Sequence, residues 1–471
     1  MSLQAVNKNN TKKGAIPMTD TNKINKSKSF YISRRDFLKY STLCSASLAS
    51  PIIFSSCAVD PVTGKKQLMM VSEQQEIQID KQQSPFQFAA DYGITQDKKL
   101  NQYVSGVGSN LLPNVHRSGM PYNFQCVNAT YINAYAFPGG SIAVTRGILL
   151  KLKNEAELAA LLGHELGHVN ARHSAEQASK GQLSSLLISG LSIVADVKGG
   201  AGLASLTQQL GMLGQGLFLS KYSRDNEREA DYLGNEYMVK AGYSSKGFVG
   251  LMQMLDSLHK KQPSSAQMLF STHPMSDERL SAALRRDQSQ YKDSGKYPLH
   301  RDRYMDKIAK LRAKKASIEL MQQGEKYLGK KQYDKAEHSF KTAIRKSKHD
   351  YTAHVLLSKC FMIQKKPSQA LSYANAAKKL YPGQIQGYHL AGLANIEIKR
   401  FSNAYKDFNK CDQLLPGNPQ ITFFKGYCQD KNGDRNPAAN KYVQYLKMIN
   451  YQPGKYSKYA YARLKKWGYV K

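Results

Sequence analysis

Four alanines spaced 34 residues apart, Ala336, Ala370, Ala404 and Ala438, restrict the last third of this chain more tightly than any other feature. Twelve residues before them stand Gly324, Ser358, Gly392 and Gly426, again 34 apart. Small residues at two fixed points of one period mark places where two helices approach too closely for a larger side chain. Such a two-helix unit is stable only when stacked, each copy contacting the next. Phe340 and Phe408 take a matching large position, and Pro382 and Pro416 end their repeats.

The pattern resembles the tetratricopeptide repeat, with departures at Lys348, Ala374 and Asn395. Tyr456, Ala460, Leu464 and Trp467 then follow at helical spacing, as in a capping helix. We read four repeats over residues 317–452 and a cap over 453–471. An array of this kind binds protein, or acts as a spacer or brace within its own molecule. Charge follows the same division. The net charge of +33 splits into +7 for residues 1–56, +8 for 57–316 and +18 for 317–471. No nucleic-acid-binding motif accompanies the excess, so no nucleic acid is expected. An anionic membrane surface or an acidic protein suits it better, beside the plainer reading of a solvated basic face.

The chemistry lies upstream, in ELAALLGHELGHVNARH at residues 157–173. Helical residues four apart share a face, so His164 and His168 can reach one ion, with Leu158, Leu161 and Leu162 supplying an apolar surface beside them. Glu165 is rotated about 100° from His164, which frees it from ligation and turns it toward a water near the ion. Two imidazoles for zinc, and a glutamate that takes the proton of the activated water, is the logic of H-E-x-x-H. On a continuous helix His173 would lie roughly 140° around from His168, so spacing does not make it a ligand. A metzincin would carry glycine at 171 and histidine at 174, where this chain has Ala171 and Ser174.

A third ligand is expected from SKYSRDNEREADYLGNEYMVKAGY. Ser223 reads as an N-cap and Gly242 as a helix stop. Glu227 and Asp231 share a face, and Glu229 lies off it. A carboxylate from this helix would complete three protein ligands and leave one position open. Asp231 could then orient a histidine of the first helix.

HELGH followed by EREAD resembles the minigluzincin metallopeptidases, the group of HtpX and the CAAX prenyl proteases, and within it the bacterial beta-barrel assembly-enhancing proteases. DPVTGKKQLMMVSEQQE (60–76), NAYAFPGGSIAVTRGIL (133–149) and STHPMSDERL (271–280) fit the same resemblance. It implies one Zn2+ per chain held by His164, His168 and Glu227, with Glu165 as base. It also implies that residues 133–144 contain an edge strand that binds substrate. There, GSIAVT is short, β-prone and follows a Pro138-Gly139-Gly140 turn. Asn133, Gly140, Ile142 and Val144 are therefore the expected substrate strand, since an unpaired edge takes extended polypeptide through backbone hydrogen bonds. His273, in the THP triplet, matches the family pattern as well. A third imidazole near zinc would either stabilise the transition-state oxyanion or occupy the open position and silence the enzyme.

The start of the chain reads as an address. SRRDFLKY, with adjacent Arg34 and Arg35, resembles a twin-arginine export signal. A mildly apolar stretch then leads through Ser55 and Ser56 to Cys57, as in a lipoprotein processing site. Lipidation of Cys57 would anchor the mature chain to a membrane, by sorting convention the outer one; simple cleavage would leave a soluble periplasmic form. In an oxidising compartment Cys411 and Cys428, on helices of successive repeats, could pair. The apolar, glycine-rich residues 182–219 read as a helical lid over the site.

The expected fold is α+β: a signal over residues 1–56, then a mostly helical zincin-type metallopeptidase domain with a small antiparallel sheet over 57–316, then the all-α solenoid. The expected function is zinc-dependent peptide-bond hydrolysis in the bacterial envelope, with misassembled outer-membrane proteins as clients. The array would serve as a link to the barrel-assembly machinery. The alternative is a tetratricopeptide chaperone or adaptor whose proteolysis is latent.

Overall fold

The computed structural model describes residues 57–59, 61, 62, 64, 66–68, 71–179 and 222–470. The expected export signal and the lid segment at 182–219 lie outside them. The first described elements are a short antiparallel pair, β1 (Cys57–Val59) and β2 (Lys66–Leu68). Helix α1 (Glu73–Ala90) follows, opened by a capping box in which Ser72 and Gln75 satisfy each other's backbone N–H.

The buried face of α1 is polar, with Glu76, Asp80, Ser84 and Gln87 turned inward. Each acid meets a specific donor, which is what makes such burial tolerable. Glu76 accepts from Arg117 at 2.6 Å and from Arg172 at 3.2 Å. Asp80 accepts the backbone N–H of Ser141 at 2.8 Å. Asp91, just past the helix, accepts the hydroxyls of Tyr131 and Tyr135 at 2.7 and 2.5 Å.

These contacts hold a three-stranded sheet of β3 (Asn123–Val127), β4 (Ala134–Ala136) and β5 (Ser141–Thr145), packed near α2 (Lys98–Ser109). The strand order is β3-β5-β4. β5 runs parallel to β3 and antiparallel to β4, so the sheet is mixed rather than antiparallel throughout. The order corrects the expected substrate strand. GSIAVT forms β5, the central strand, and Ile142 and Val144 are wholly buried and paired on both sides. Neither can receive a polypeptide. Among the described residues β4 is the edge without a further strand: Ala134 and Ala136 do not bond β5 in this register, because the bonded pairs flank them at Asn133–Thr145 and Phe137–Ser141, although all three residues of β4 are buried. Pro138-Gly139-Gly140 makes the hairpin turn, with Gly140 at φ +103°, a conformation that favours glycine.

Helix α3 (Glu155–Asn170) is capped by Asn154 and buried along its whole length. It packs against α4 (Arg224–Lys240) and α5 (Lys246–Lys261).

Eight helices in four pairs then form the solenoid. They are α6 (Lys315–Gly329), α7 (Tyr333–Lys346), α8 (Tyr351–Ile363), α9 (Pro367–Leu380), α10 (Ile385–Glu397), α11 (Phe401–Leu414), α12 (Pro419–Lys431) and α13 (Arg435–Met448). The small residues lie where the pairs touch: a Cβ on Gly324 would come within 2.4 Å of the Phe340 ring, and one on Gly392 within 2.7 Å of Phe408. Ser358 fits the same place because its hydroxyl donates to Ala370 O. Helix α14 (Lys455–Lys466) covers the end, with Tyr456 against Phe423 and Arg463 paired to Asp430. Cys411 and Cys428 are buried and free, so the disulfide does not form.

The solenoid lies against the rest of the chain. Gln384 and Gln386 donate to Ala89 O, and Gln386 also to Ala90 O, which satisfies the carbonyls left open at the end of α1. Because the Phe408 ring is fully buried and stacked on Phe424, Gly392→Ala is expected to cost about 1–3 kcal/mol of array stability. A lower urea midpoint by circular dichroism checks this, and an unchanged midpoint would show that the pair can spread.

Candidate metal centre

Three glycines set the distance between α3 and α4. A Cβ on Gly163 would lie 2.7 Å from Gly234 O, one on Gly167 2.8 Å from the Ala230 backbone, and one on Gly234 2.5 Å from His164 N. The two backbones are therefore in contact, and side chains of α4 reach those of α3 over a short span. Ser223 caps α4 and Gly242, at φ +85°, follows its end, as the sequence indicates.

At this crossing four donor groups converge. Ligand atoms of His164, His168, Glu227 and His273 all lie within 4.8 Å of one another. Nε2 of His164 and Nε2 of His168 are 3.1 Å apart. Glu227 sets Oε1 at 3.4 Å from His168 Nε2 and Oε2 at 3.6 Å from His164 Nε2. With zinc–nitrogen bonds of about 2.0–2.1 Å, neighbouring donors of a tetrahedron stand about 3.4 Å apart. The donor set therefore fits zinc in chemistry and in spacing. His273 Nδ1 stands 3.0 Å from Glu227 Oε1 and 3.5 Å from His164 Nε2, close to a fourth corner.

Glu165 is buried, and its Oε2 has no hydrogen-bond partner among the described residues. Burial raises its pKa, against the pull of His273 and His164. Burial also holds His168 well below the ordinary histidine range, hence neutral, the form that ligates a metal. Glu227 is the reverse. Burial would favour its neutral acid, but Arg279 and His273 hold it ionised, well below the usual carboxylate range. His273 is raised: burial opposes its charge, and the carboxylates of Glu227 and Glu165 outweigh that.

Around these groups stands a supporting layer, only part of which the sequence suggested. Asp231 Oδ1 is 3.0 Å from His164 Nδ1, within ion-pair range though not aligned as a hydrogen bond. Arg279 grips Asp231 with two bonds of 2.7 Å, approaches Glu227 Oε2 at 2.6 Å and donates to Pro274 O. One guanidinium thus ties both carboxylates of α4 to the loop bearing His273.

The place of His173 was not legible. The helix ends at Asn170, Arg172 turns left-handed at φ +56°, and His173 folds back with Nδ1 at 2.8 Å from His168 Nδ1. Glu229 stands 3.3 Å behind it. Tyr222 stacks on the His168 ring with centroids 3.7 Å apart, a contact without a local signal. Ala136, Phe137 and Pro138 line one pocket with His168 and Tyr222, which places the end of β4 beside the donors. Gly140 lies in the turn beyond. Asn133 directly precedes β4, with its side-chain amide buried and unbonded among the described residues.

Removing Arg279 would leave two buried carboxylates without their cation. Arg279→Met is expected to destabilise the metal-free protein by about 3–5 kcal/mol at neutral pH. Glu227 and Asp231 are depressed, so their stabilisation is present above the unfolded carboxylate pKa of about 4 and is lost as pH falls through their folded values. The deficit should therefore shrink in acid. Urea titrations of chelated protein at several pH values measure it, and a deficit independent of pH would contradict the electrostatic account.

Comparison with known proteins agrees with this geometry. Residues 98–287, which contain the whole donor cluster, match Peptidase family M48. The beta-barrel assembly-enhancing protease of Yersinia pestis is 31% identical over 204 residues, 42% of this chain and 41% of the relative. That of Escherichia coli (strain K12) is 28% identical over 197 residues, 41% of this chain and 40% of the relative. The chain thus spans about two fifths of the length of these relatives. The metalloprotease LoiP of Escherichia coli (strain K12) is 32% identical over 183 residues, 39% of this chain and 67% of the relative. A solved thermophilic TPR protein of Thermus thermophilus covers 39% of this chain and 97% of its own at 15% identity, with a TM-score of 0.27. The solenoid assignment rests instead on the 34-residue period and the eight paired helices. With the donor cluster inside the matched region and two thirds of LoiP covered, this chain belongs to peptidase family M48.

Proposed function

We propose that this chain is a zinc-dependent endopeptidase of the bacterial cell envelope that degrades misassembled outer-membrane proteins and assists their assembly. The observation that carries the hydrolytic reading is the convergence of two imidazoles and a carboxylate at the edge lengths of one zinc tetrahedron, beside a buried glutamate oxygen without a partner. The names of the Yersinia and Escherichia relatives support the barrel-assembly part.

His164, His168 and Glu227 would hold the metal, and Asp231 would fix the ring of His164. Zinc bound there supplies polarisation of the scissile carbonyl and a more acidic water. Glu165 would accept a proton from the attacking water at Oε2 and return it to the leaving amine; a pKa raised by burial suits it to both transfers. The outward backbone edge of β4 at Ala134 and Ala136, buried in this state, would pair with an extended client that displaces what covers it, which brings the scissile bond over the donors. An edge read by backbone bonds accepts many sequences, as unfolded clients require.

The remaining parts of the reading rest on sequence. Residues 57–316 act as the peptidase domain, and 317–452 with the cap at 453–471 as a surface for protein partners, the barrel-assembly machinery among them. Lipidation at Cys57 would hold the chain at the outer membrane, with the soluble periplasmic form as the alternative. No helix among the described residues is long and apolar enough to cross a membrane.

One observation favours latent proteolysis, and with it the chaperone or adaptor reading. His273 Nδ1 stands close to where a fourth ligand would. An imidazole there excludes the reacting water and blocks the substrate carbonyl. His273 is therefore read as a brake, released when a client displaces its loop.

Glu227→Ala is expected to reduce bound zinc sharply, whereas Glu165→Gln keeps zinc and loses hydrolysis of unfolded casein. Elemental analysis beside the casein assay separates the two, and full zinc content without Glu227 would sink the ligand assignment. His273→Ala should raise basal cleavage, self-cleavage included, with zinc retained. An oxyanion stabiliser would instead slow turnover by about 10²–10³-fold on removal, so the sign of one measurement decides.

A further inference from the structure

The β4–β5 hairpin, the proposed substrate strand and its neighbour, has two roots: residues 128–133 before β4 and Arg146 directly after β5. The solenoid touches both. At the first root Thr130 Oγ1 donates to Glu325 Oε2 at 2.6 Å, and Gln322 Nε2 donates to Thr130 O at 2.6 Å. Glu325 and Gln322 belong to α6, the first repeat helix. At the second root Arg146 Nη1 donates to Asp350 Oδ2 at 2.6 Å, and Nη2 to Oδ1 at 3.4 Å. Both side chains are buried, at 4% and 2% exposure, so neither charge has water as a substitute partner.

The two roots are also joined to each other. Arg146 Nε donates to Asn128 O at 2.9 Å, and Thr352 Oγ1 of α8 reaches the same carbonyl at 3.4 Å. Thr145 closes the hairpin from inside, its N–H and hydroxyl both bonding Asn133 O. The position of β4 is thus set on one side by Asp91 of the peptidase part and on the other by carboxylates of the solenoid. Neither Asp350 nor Glu325 is among the four converging donors.

We propose that the solenoid positions the substrate-binding edge: Asp350, through Arg146, and Glu325, through Thr130, are positioning residues for β4. A partner that shifts the first two repeats would then alter capture of extended polypeptide without altering the metal site. The inference rests on the reading of β4 as the substrate edge. It concerns binding along the strand rather than proton transfer, so its signature is a change in KM for long substrates.

The test uses the full-length protein with Asp350→Asn and, separately, Glu325→Gln. Asparagine keeps the N-cap that Asp350 gives to Thr352 N through Oδ1 and removes both the charge and the Oδ2 acceptor facing Arg146. The KM for casein is expected to rise about fivefold or more in each variant. Zinc content and turnover of a short fluorogenic peptide, too short to pair along β4, should stay unchanged. Hydrogen exchange across residues 131–145 should quicken, because the opening reports the freed roots. Unchanged exchange and an unchanged casein KM would overturn the proposal. So would equal losses on casein, short peptide and zinc in both variants, which mean general unfolding. If the wild-type protein cleaves neither substrate, the hydrolytic reading fails, and exchange alone still decides whether the solenoid holds the hairpin.

Discussion

The backbone contact between α3 and α4 is the constraint on which the other features depend. Gly163, Gly167 and Gly234 remove the side chains that would keep the helices at ordinary separation. At that distance the short carboxylates of Glu227 and Asp231 reach the two imidazoles of α3. A single methyl group at Gly234 would collide with main chain at His164, which cannot move without moving that donor itself. The glycines of LLGHELGH thus belong to the site although they carry no donor atom.

So much charge packed into a buried crossing has to be compensated within it. Arg279 does this for both carboxylates of α4, and the Glu229–His173 pair stands behind His168. Compensation also brings coupling. Arg279 bonds Pro274 O, so the loop that presents His273 is fixed to the same guanidinium that keeps Glu227 ionised. The His273 loop and the charge of Glu227 share one cation.

The hairpin that carries the edge strand is supported from below by Asp80 and Asp91 and from its roots by Glu325 and Asp350. In each case a buried or, for Glu325, half-buried acid meets a hydroxyl, an amide or a guanidinium, an arrangement that specifies position more than it adds stability. A three-residue strand has little hydrophobic hold of its own. Its register is imposed by these polar contacts, two of which come from a part of the chain some two hundred residues away.

Sequence alone determined whatever repeats or is local. The 34-residue period, the i,i+4 histidines, the Ser223 cap and the stop at Gly242 depend on helix geometry, which a few neighbouring residues dictate. The meeting of His164 and His168 with a carboxylate of the second helix could be anticipated because each half of it is a one-face pattern; that the carboxylate is Glu227 rather than Asp231 was implied only by the family resemblance. Tertiary structure decided what depends on partners distant in the chain. GSIAVT has the composition of a strand, but only the order β3-β5-β4 makes it central and leaves the edge to Ala134 and Ala136. His173 was projected along a helix that in fact stops at Asn170, because a left-handed Arg172 is fixed by Glu76 of α1. Tyr222 and Arg279 carry no periodic signal, and the helical spacing of Glu76, Asp80, Ser84 and Gln87 is that of an ordinary solvated face, since a buried polar residue shows its purpose only in the donor it meets. Periodicity is written in neighbouring residues, whereas strand order and charge compensation are settled by contacts that form only when distant segments pack.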